Sequence, residues 1–160
     1  MSILSISLIP ISDENKIQCI ELKPHKFQEK FVASNIDSLK KALEEPTSKP
    51  YGIYNNKVMV GFTLFDQEPY PDDGYFWIVR FMIDKRFQQK GYGRAALAEI
   101  INTIRNNQSD SKIRISHVPD NIVVNKLYKE FGFVETGEII NGEIVLDLIN
   151  GEHYTSLKRN

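Results

Sequence analysis

The most informative segment of this sequence is Arg86-Phe87-Gln88-Gln89-Lys90-Gly91-Tyr92-Gly93-Arg94. It lies between residues 75–84, whose aromatic and β-branched side chains are typical of a central strand, and an apolar segment of helical period that begins at Ala95. Gly91 and Gly93 would let the main chain approach a ligand closely, and the first N–H groups of a helix have no intrahelical partner. This combination favours a bound phosphate or pyrophosphate. A tight strand-to-helix turn without a ligand remains an alternative.

Two familiar phosphate loops do not fit this segment. The GxxxxGK[ST] spacing of a Walker loop is missing. A dinucleotide fingerprint needs three glycines and belongs near the first strand of a parallel sheet, whereas Gly91 and Gly93 follow several predicted strands. The segment therefore predicts a phosphate cradle of another class.

Strands and helices are predicted on both sides of this segment from the hydrophobic period and the turn residues. Strands are expected at residues 3–11, 51–54, 58–65, 75–84, 112–118, 133–140 and 143–149, the last two joined by the turn Asn141-Gly142. Helices are expected after a cap at Ser12 or Asp13, after a cap at Ser34 or Asn35, from Ala95, and from Asn121 to a C-cap at Gly132. The predicted apolar faces are Ile17, Ile20 and Leu22; Ile36, Leu39 and Leu43; and Ile122, Leu127 and Phe131. This order predicts an α/β fold with one mixed sheet and helices on its faces.

Length and composition exclude several classes of protein. The 160 residues fit one domain, expected at residues 1–150, with residues 151–160 as a tail. A formal net charge of −1 and the lack of an apolar segment of about 20 residues argue against a nucleic-acid or membrane partner. The single cysteine, Cys19, is expected to be a buried thiol, and a start without signal-peptide features predicts a cytoplasmic protein.

A second motif follows at residues 121–133, Asn121-Ile122-Val123-Val124-Asn125-Lys126-Leu127-Tyr128-Lys129-Glu130-Phe131-Gly132-Phe133. Together with the segment at residues 86–94, it resembles the GCN5-related N-acetyltransferases, or GNAT family. That family carries (Arg/Gln)-x-x-Gly-x-(Gly/Ala) in its motif A, and in its motif B an Asn before a helix ending in Leu-Tyr-x-x-x-Gly-Phe. The resemblance covers nearly the whole chain, and Val124, where relatives often carry alanine, is one departure.

The resemblance implies the acyl-CoA N-acyltransferase fold, a central and mostly antiparallel sheet flanked by helices and splayed between its fourth and fifth strands. It also implies acetyl-CoA as cosubstrate and no metal. Main-chain groups near Phe81 would bind the pantetheine arm, main-chain amides from Gln89 to Arg94 the pyrophosphate, and Asn121 the cofactor. The cofactor-binding residues expected on this basis are Phe81, Met82, Ile83, Gln88, Gln89, Lys90, Gly91, Tyr92, Gly93, Arg94, Asn121 and Tyr128.

Tyr128 is the expected catalytic residue, because an amine that attacks a thioester expels a thiolate that a phenol can protonate. The general base is open. Relatives often have a glutamate on the central strand, but residues 75–81 contain none, so a water relay, a carboxylate of a neighbouring element or His117 are the candidates. For His117 a surface histidine before Pro119 is the favoured alternative. Asp84 is expected to be a structural charge, paired with Arg80 on the same strand face.

The acceptor is expected to be a small-molecule amine. Acidic residues, which could attract a cation, occur in the loop before the central strand and in the helical region between the first two predicted strands: Asp66, Glu68, Asp72, Asp73, Glu21, Glu29 and Asp37. Each could instead be a solvated surface charge. Residues 70–73, 81–84 and 136–143 resemble the bacterial spermidine/spermine (diamine) acetyltransferases, which implies a polyamine acceptor. The family resemblance also implies a homodimer.

Other classes of function remain open. An acetyltransferase that acts on a protein amino terminus or lysine predicts an open groove, whereas a polyamine enzyme predicts a narrow acidic tunnel. A non-catalytic acyl-CoA binding module would keep the loop at residues 88–93 but could lack Tyr128. A nucleotide-binding regulator would need the phosphate loop alone.

Overall fold

A computed structural model describes residues 4–106 and 108–149. The expected tail at residues 151–160 lies outside the described residues. The strands are β1 (Ile6–Pro10), β2 (Ser48–Asn55), β3 (Val58–Asp66), β4 (Phe76–Ile83), β5 (Ile113–His117), β6 (Val134–Ile140) and β7 (Glu143–Leu148). The α-helices are α1 (Lys16–Glu21), α2 (Asn35–Glu44), α3 (Tyr92–Ile104) and α4 (Ile122–Glu130). Short 3-10 helices occupy Lys26–Gln28 and Lys85–Phe87.

The strands form one sheet in the order β1-β2-β3-β4-β5-β7-β6. All neighbours are antiparallel except β4 and β5, which are parallel. A parallel pair needs a crossover connection, and α3 supplies it. The α/β fold with a mixed, mostly antiparallel sheet is therefore confirmed.

Different helices cover the two faces of the sheet. Cys19 of α1 and the adjoining Leu22 pack in one cluster with β3 side chains such as Phe62. On the other face, Leu97 and Ile100 of α3 pack in a second cluster with side chains of β5 and β7 and with Phe131 and Phe133. Alternation of side chains along each strand sends successive residues to these two cores. Within the described residues, no helix is long and apolar enough to cross a membrane.

The fourth and fifth strands part midway along β4. Their pairing covers only Phe76 to Ile78 of β4, opposite Ile113 to Ile115 of β5. The register between β3 and β4 shifts at the same place, where Leu64 faces Arg80 and Phe65 faces Ile78, so that Val79 is an extra residue. A bulge of this kind bends a strand and increases its twist, which accounts for the parting. The expected splay is therefore present, and it starts at Val79.

Several expectations for the helices are wrong. Ile17, Leu43 and Ile122 are 72%, 89% and 75% exposed, although the hydrophobic period places them on apolar faces. The reason for α1 is its length of six residues, so that only Cys19 and the following Leu22 reach the core. Its N-cap is Asn15, not Ser12 or Asp13. Ser34 does cap α2 as expected, since its side chain accepts from the Asp37 N–H.

The inner side of α2 is partly polar, because two polar residues are buried there beside Leu39 and Ala42, which pack against the core. Asn35 and Ser38 are buried, and the Asn35 amide donates to the Cys19 carbonyl oxygen at 2.9 Å. The Ser38 hydroxyl donates to the Ser34 carbonyl oxygen and accepts from Nε of Arg80. The spacing of apolar residues predicted Leu39 on this side but could not identify Asn35 and Ser38, because hydrogen bonds hold them.

Candidate active site

The loop between β4 and α3 presents a row of unpaired donors. Gly91 is the N-cap of α3 with φ of 87° and ψ of 0°, and Gln89 also has a positive φ, 62°. The first intrahelical bond runs from the Ala95 N–H to the Gly91 carbonyl oxygen. Among the described residues, no acceptor faces the main-chain N–H groups from Gln89 to Arg94. Such a row at the positive end of a helix dipole fits a pyrophosphate.

The Gln88 side chain forms hydrogen bonds with other residues of the protein. Its amide donates to the Ile83 carbonyl oxygen at 2.9 Å and to Oε1 of Gln28 at 2.8 Å, and its own oxygen accepts from the Gln28 amide at 3.1 Å. These bonds connect the loop to the end of β4 and to the segment after α1. Gln88 therefore shapes the loop, and its side chain is not free to bind a phosphate.

Arg94 and Lys90 differ in their surroundings. The Arg94 guanidinium forms an ion pair with Glu130 at the end of α4 and lies over the Phe131 ring. This contact joins the two helices that carry motifs A and B and leaves the Arg94 main-chain N–H facing the loop. Lys90 is exposed, and no ion pair involves it in the described part of the chain.

The parted half of β4 has main-chain groups that face the gap. The Asp84 N–H donates to the Val60 carbonyl oxygen, and bonded pairs alternate along an antiparallel ladder, so Phe81 and Ile83 direct their N–H and C=O groups away from β3. The Ile83 carbonyl is taken by Gln88. Met82 points its side chain into the core on the α1 side, and its main-chain groups face Phe62 of β3, so it contributes no group to the gap.

Tyr128 lies on α4, and its side chain packs against the sheet in the same core as α3. Its side chain is 4% exposed and packs between His117 and Phe133, with ring centroids 6.0 Å and 5.9 Å away. No hydrogen bond to the hydroxyl is formed by any described residue. Burial, and then the negative charge of Glu143, raise the pKa of the Tyr128 phenol. The hydroxyl therefore keeps its proton at neutral pH and is able to donate it.

His117 is not a surface residue, so that expectation is wrong. It is 4% exposed because its ring lies against Tyr128 under α4. Nδ1 lies 2.7 Å from the Val118 carbonyl oxygen, and Nε2 lies 2.9 Å from the Asn125 amide nitrogen. The carbonyl requires a proton on Nδ1, so Nε2 accepts from Asn125. Both nitrogens are occupied, which argues against His117 as the base.

Asn121 and Gly132 mark the two ends of the second motif. Asn121 is the N-cap of α4 but makes no side-chain cap bond, so its amide is available to a ligand. The C-cap of α4 is Phe131 rather than the expected Gly132, which follows it with φ of 98°, a conformation that favours glycine just after a helix.

Asp84 pairs with Arg86, and the expected pair with Arg80 is wrong. Four residues along a strand span about 13 Å, too far for contact. The buried Asp84 carboxylate accepts from Nε and N–H of Arg86 and from the Lys23 N–H. Burial alone would raise the pKa of Asp84, but these hydrogen bonds and the Arg86 charge hold it below its ordinary value. Asp84 thus ties the segment after α1 to the end of β4.

Two of the acidic residues before β4 have structural roles. Asp66 is buried and accepts from the hydroxyls of Thr47 and Ser48 and from the Trp77 N–H. Asp73 accepts from the Tyr75 N–H and the Trp77 indole. The remaining expected acidic residues are exposed: Glu21, Glu29, Asp37, Glu68 and Asp72. No group of three or more metal-ligating side chains that could hold an ion occurs in the described ranges.

The sequence pattern of the Acetyltransferase (GNAT) family matches residues 14–133, a span that includes the phosphate loop and α4. The chain belongs to the GNAT family. This GNAT protein is 32% identical over 148 residues to the spermine/spermidine N(1)-acetyltransferase of Bacillus subtilis strain 168, with 89% of this chain and 97% of the relative covered. It is accordingly an acetyl-CoA dependent N-acetyltransferase.

Solved GNAT structures share the fold at lower identity. An acetyltransferase from Thermus thermophilus superposes with a TM-score of 0.71 at 14% identity, covering 92% of this chain and 99% of that one. A spermidine N-acetyltransferase from Vibrio cholerae, in complex with CoA and spermine, gives a TM-score of 0.70 at 16% identity, covering 92% and 97% of the two chains.

Three residues of this acetyltransferase's site region were not identified from the sequence. Gln28 binds Gln88, and the Ser116 hydroxyl donates to Glu143 at 2.9 Å. Gln28 lies in a 3-10 helix that no periodicity signals. Glu143 follows the predicted hairpin turn Asn141-Gly142, so the sequence predicted that it lies on a strand. The sequence did not indicate its contact with Ser116.

Proposed function

We propose that this protein transfers the acetyl group of acetyl-CoA to a primary amine of a polyamine of the spermidine or spermine class, by direct attack within a ternary complex. The 32% identity to a named spermine/spermidine acetyltransferase, over nearly the full length of both chains, is the observation that supports the acceptor. The unpaired N–H row, the open edge of β4 and the Tyr128 hydroxyl support the chemistry.

The residues of the site fit acetyl-CoA. The N–H groups from Gln89 to Arg94 would hold the pyrophosphate, and those of Phe81 and Ile83 would pair with the pantetheine arm and the acetyl oxygen. The Asn121 amide, at the start of α4, would bind the same arm. When bound, acetyl-CoA supplies an activated acyl group as a thioester.

Tyr128 would act as the general acid. Its raised pKa keeps the phenol protonated, and its hydroxyl has no partner among the described residues, so it can donate to the sulfur as the thiolate leaves. The surrounding rings of His117 and Phe133 hold it in place and exclude water. Proton donation at this step lowers the barrier for expulsion of the thiolate.

An initial-rate assay of thiol release from acetyl-CoA with a panel of amines tests this function. The panel contains spermine, spermidine, putrescine, a lysine peptide, an amino-terminal peptide and an aminoglycoside. We expect the highest kcat/KM with spermine or spermidine, and intersecting rather than parallel lines when both substrates are varied. Preference for a peptide would favour a protein acetyltransferase, and acetyl-CoA binding without turnover would favour a binding module.

A further inference from the structure

The base that must accept the proton of the acceptor is not supplied by the central strand, by Asp84 or by His117. The central strand β4 contains no carboxylate. Asp84, just after it, is occupied by Lys23 and Arg86, and both nitrogens of His117 are engaged. An alkylammonium has a pKa near 10, so it must lose a proton before its nitrogen can attack.

The carboxylates of β6 and β7 differ in whether a cation neutralises them. Glu135 forms an ion pair with Lys129 at 2.6 Å. Asp147 and Glu138 both bind Arg114, at 2.7 Å and 3.5 Å. Glu143 is the carboxylate of these two strands with no ion pair among the described residues. Its charge is therefore available to a cation from outside.

Ser116 holds the Glu143 side chain toward the gap between β4 and β5. Glu143 is the first residue of β7, and its Oε1 accepts from the Ser116 hydroxyl on the neighbouring strand β5 at 2.9 Å. Pairing of β5 with β4 ends one residue earlier, at Ile115. The carboxylate thus lies against β5 at the point where β4 and β5 have parted.

Glu143 and Tyr128 approach the gap from opposite faces of the sheet. Ser116 and His117 are adjacent on β5, so their side chains point to opposite faces. His117 packs against Tyr128, whereas Ser116 binds Glu143. The pair remains close enough for the Glu143 charge to contribute to the raised pKa of Tyr128. A base on one side and an acid on the other is the arrangement that acyl transfer to an amine requires.

We propose that Glu143 is a catalytic residue, the carboxylate that binds the acceptor ammonium and takes its proton, and that Ser116 is its positioning residue. This inference rests on the proposed function of the gap as the acetyl-transfer site. The chemical class that Glu143 selects is a primary alkylammonium.

The proton and electron balance of the step is complete. The ammonium gives one proton to the Glu143 carboxylate, directly or through a water, and its nitrogen then forms a bond to the acetyl carbon. The carbon–sulfur bond breaks, the sulfur takes a proton from Tyr128, and the second amine proton passes through water to the Tyr128 phenolate. Glu143 returns its proton to solvent, so one ammonium and one thioester give one amide, one thiol and one proton.

The test compares Glu143→Gln with the wild type as a function of pH. The amide keeps the shape and the oxygen that accepts from Ser116 but cannot take a proton. At neutral pH we expect kcat to fall by about 100-fold, with acetyl-CoA affinity and the unfolding temperature unchanged. The loss should shrink as the pH rises toward the pKa of the acceptor, because solvent then deprotonates the amine.

Two further variants keep the test specific. Glu138 lies on the same hairpin but forms an ion pair with Arg114. We therefore expect Glu138→Gln to keep the wild-type kcat and pH profile. Ser116→Ala frees the Glu143 side chain, and we expect a smaller loss, of about tenfold, with the wild-type pH profile. The acceptor is whichever amine of the panel the wild type acetylates best, so a wrong polyamine assignment does not affect the comparison.

A Glu143→Gln variant with wild-type kcat across the pH range would overturn the inference and leave the proposed function intact. A loss of kcat/KM that is equal at every pH and arises from a higher KM would also overturn it. In that case Glu143 would only bind the acceptor ammonium and would not take its proton. A wild type that acetylates no amine would overturn the proposed function itself, together with the inference.

Discussion

Tyr128 and Asp84 are buried acids whose surroundings shift their pKa values in opposite directions. Around Tyr128, burial and the Glu143 charge both disfavour the phenolate. Around Asp84, burial is outweighed by the hydrogen bonds of Arg86 and Lys23, which favour the carboxylate. The Tyr128 phenol therefore stays protonated, and Asp84 stays a fixed anion that anchors a neighbouring segment.

Tyr128→Phe should lower kcat by about 100-fold while acetyl-CoA affinity stays within a factor of two to three, because the ring and its packing remain. Steady-state kinetics and calorimetric titration measure the two quantities. Tyr51→Phe, which removes a hydroxyl bound only to Gln67, serves as the control. An unchanged kcat in Tyr128→Phe would rule out the acid role.

Asp84→Asn should destabilise the fold by about 1–3 kcal/mol at neutral pH, since buried donors lose a charged acceptor. The folded pKa of Asp84 is depressed, so its stabilisation is present above the ordinary value of 3.8 and is lost as the pH falls through the folded pKa. Urea unfolding at neutral pH and at about pH 3 should show a smaller gap between the variant and the wild type in acid. An equal gap at both pH values would contradict the assignment.

Cys19 should not react with a thiol reagent in the native protein. It is fully buried, as expected from the sequence, and burial raises its pKa to about 12, so the reactive thiolate is scarce. Titration with and without denaturant measures this, and prompt reaction of the folded protein would be the contrary result. Because the buried Cys19 thiol does not react, it does not add to the signal when a thiol reagent measures released CoA.

Elements joined by turns with strong local rules were predictable, and those held by tertiary hydrogen bonds were not. Asn141 and Gly142 both have positive φ, 50° and 81°, as the predicted hairpin turn requires. In contrast, α2 buries Asn35 and Ser38 beside the apolar Leu39 and Ala42, and Cys19 and Arg80 supply the hydrogen-bond partners from distant parts of the chain. Local sequence cannot encode such partners.

Gly91 and Gly93 should respond differently to substitution. Gly91 has φ of 87°, so Gly91→Val strains the loop and should weaken acetyl-CoA binding at least tenfold. A Cβ at Gly93 would meet Ile83 and Leu127 only at 3.8 Å and 4.0 Å, so Gly93→Ala should bind nearly as well as the wild type. Calorimetric titration of both variants measures the difference. Wild-type affinity in Gly91→Val would contradict the phosphate-cradle role.

For the whole molecule, the decisive feature is that β4 and β5 pair over three residues and then part. The family resemblance predicted this splay, but composition and periodicity alone predicted only a mixed sheet. Two features depend on how strands pair across the sheet: the bulge at Val79 and the hydrogen bond of Glu143 to Ser116 on β5. The sequence therefore predicted neither of them.

A ligand that fills the gap should stabilise the entire fold. At 100 times its Kd, acetyl-CoA should add about 2.7 kcal/mol, which for a chain of this size corresponds to a rise in Tm of about 5–11 °C. Thermal unfolding with and without acetyl-CoA measures the shift. In Gly91→Val the shift at the same concentration should be much smaller, and an equal shift would place the binding elsewhere.

The central claim is that acetyl-CoA and a polyamine react in this gap. The most direct measurement is mass spectrometry of spermidine after incubation with the protein and acetyl-CoA, alongside the amount of thiol released. We predict spermidine carrying one acetyl group, formed in equal amount to free CoA, and formed about 100-fold more slowly by Tyr128→Phe. Thiol release without acetylated spermidine, or unaltered spermidine in the presence of bound acetyl-CoA, would contradict the claim.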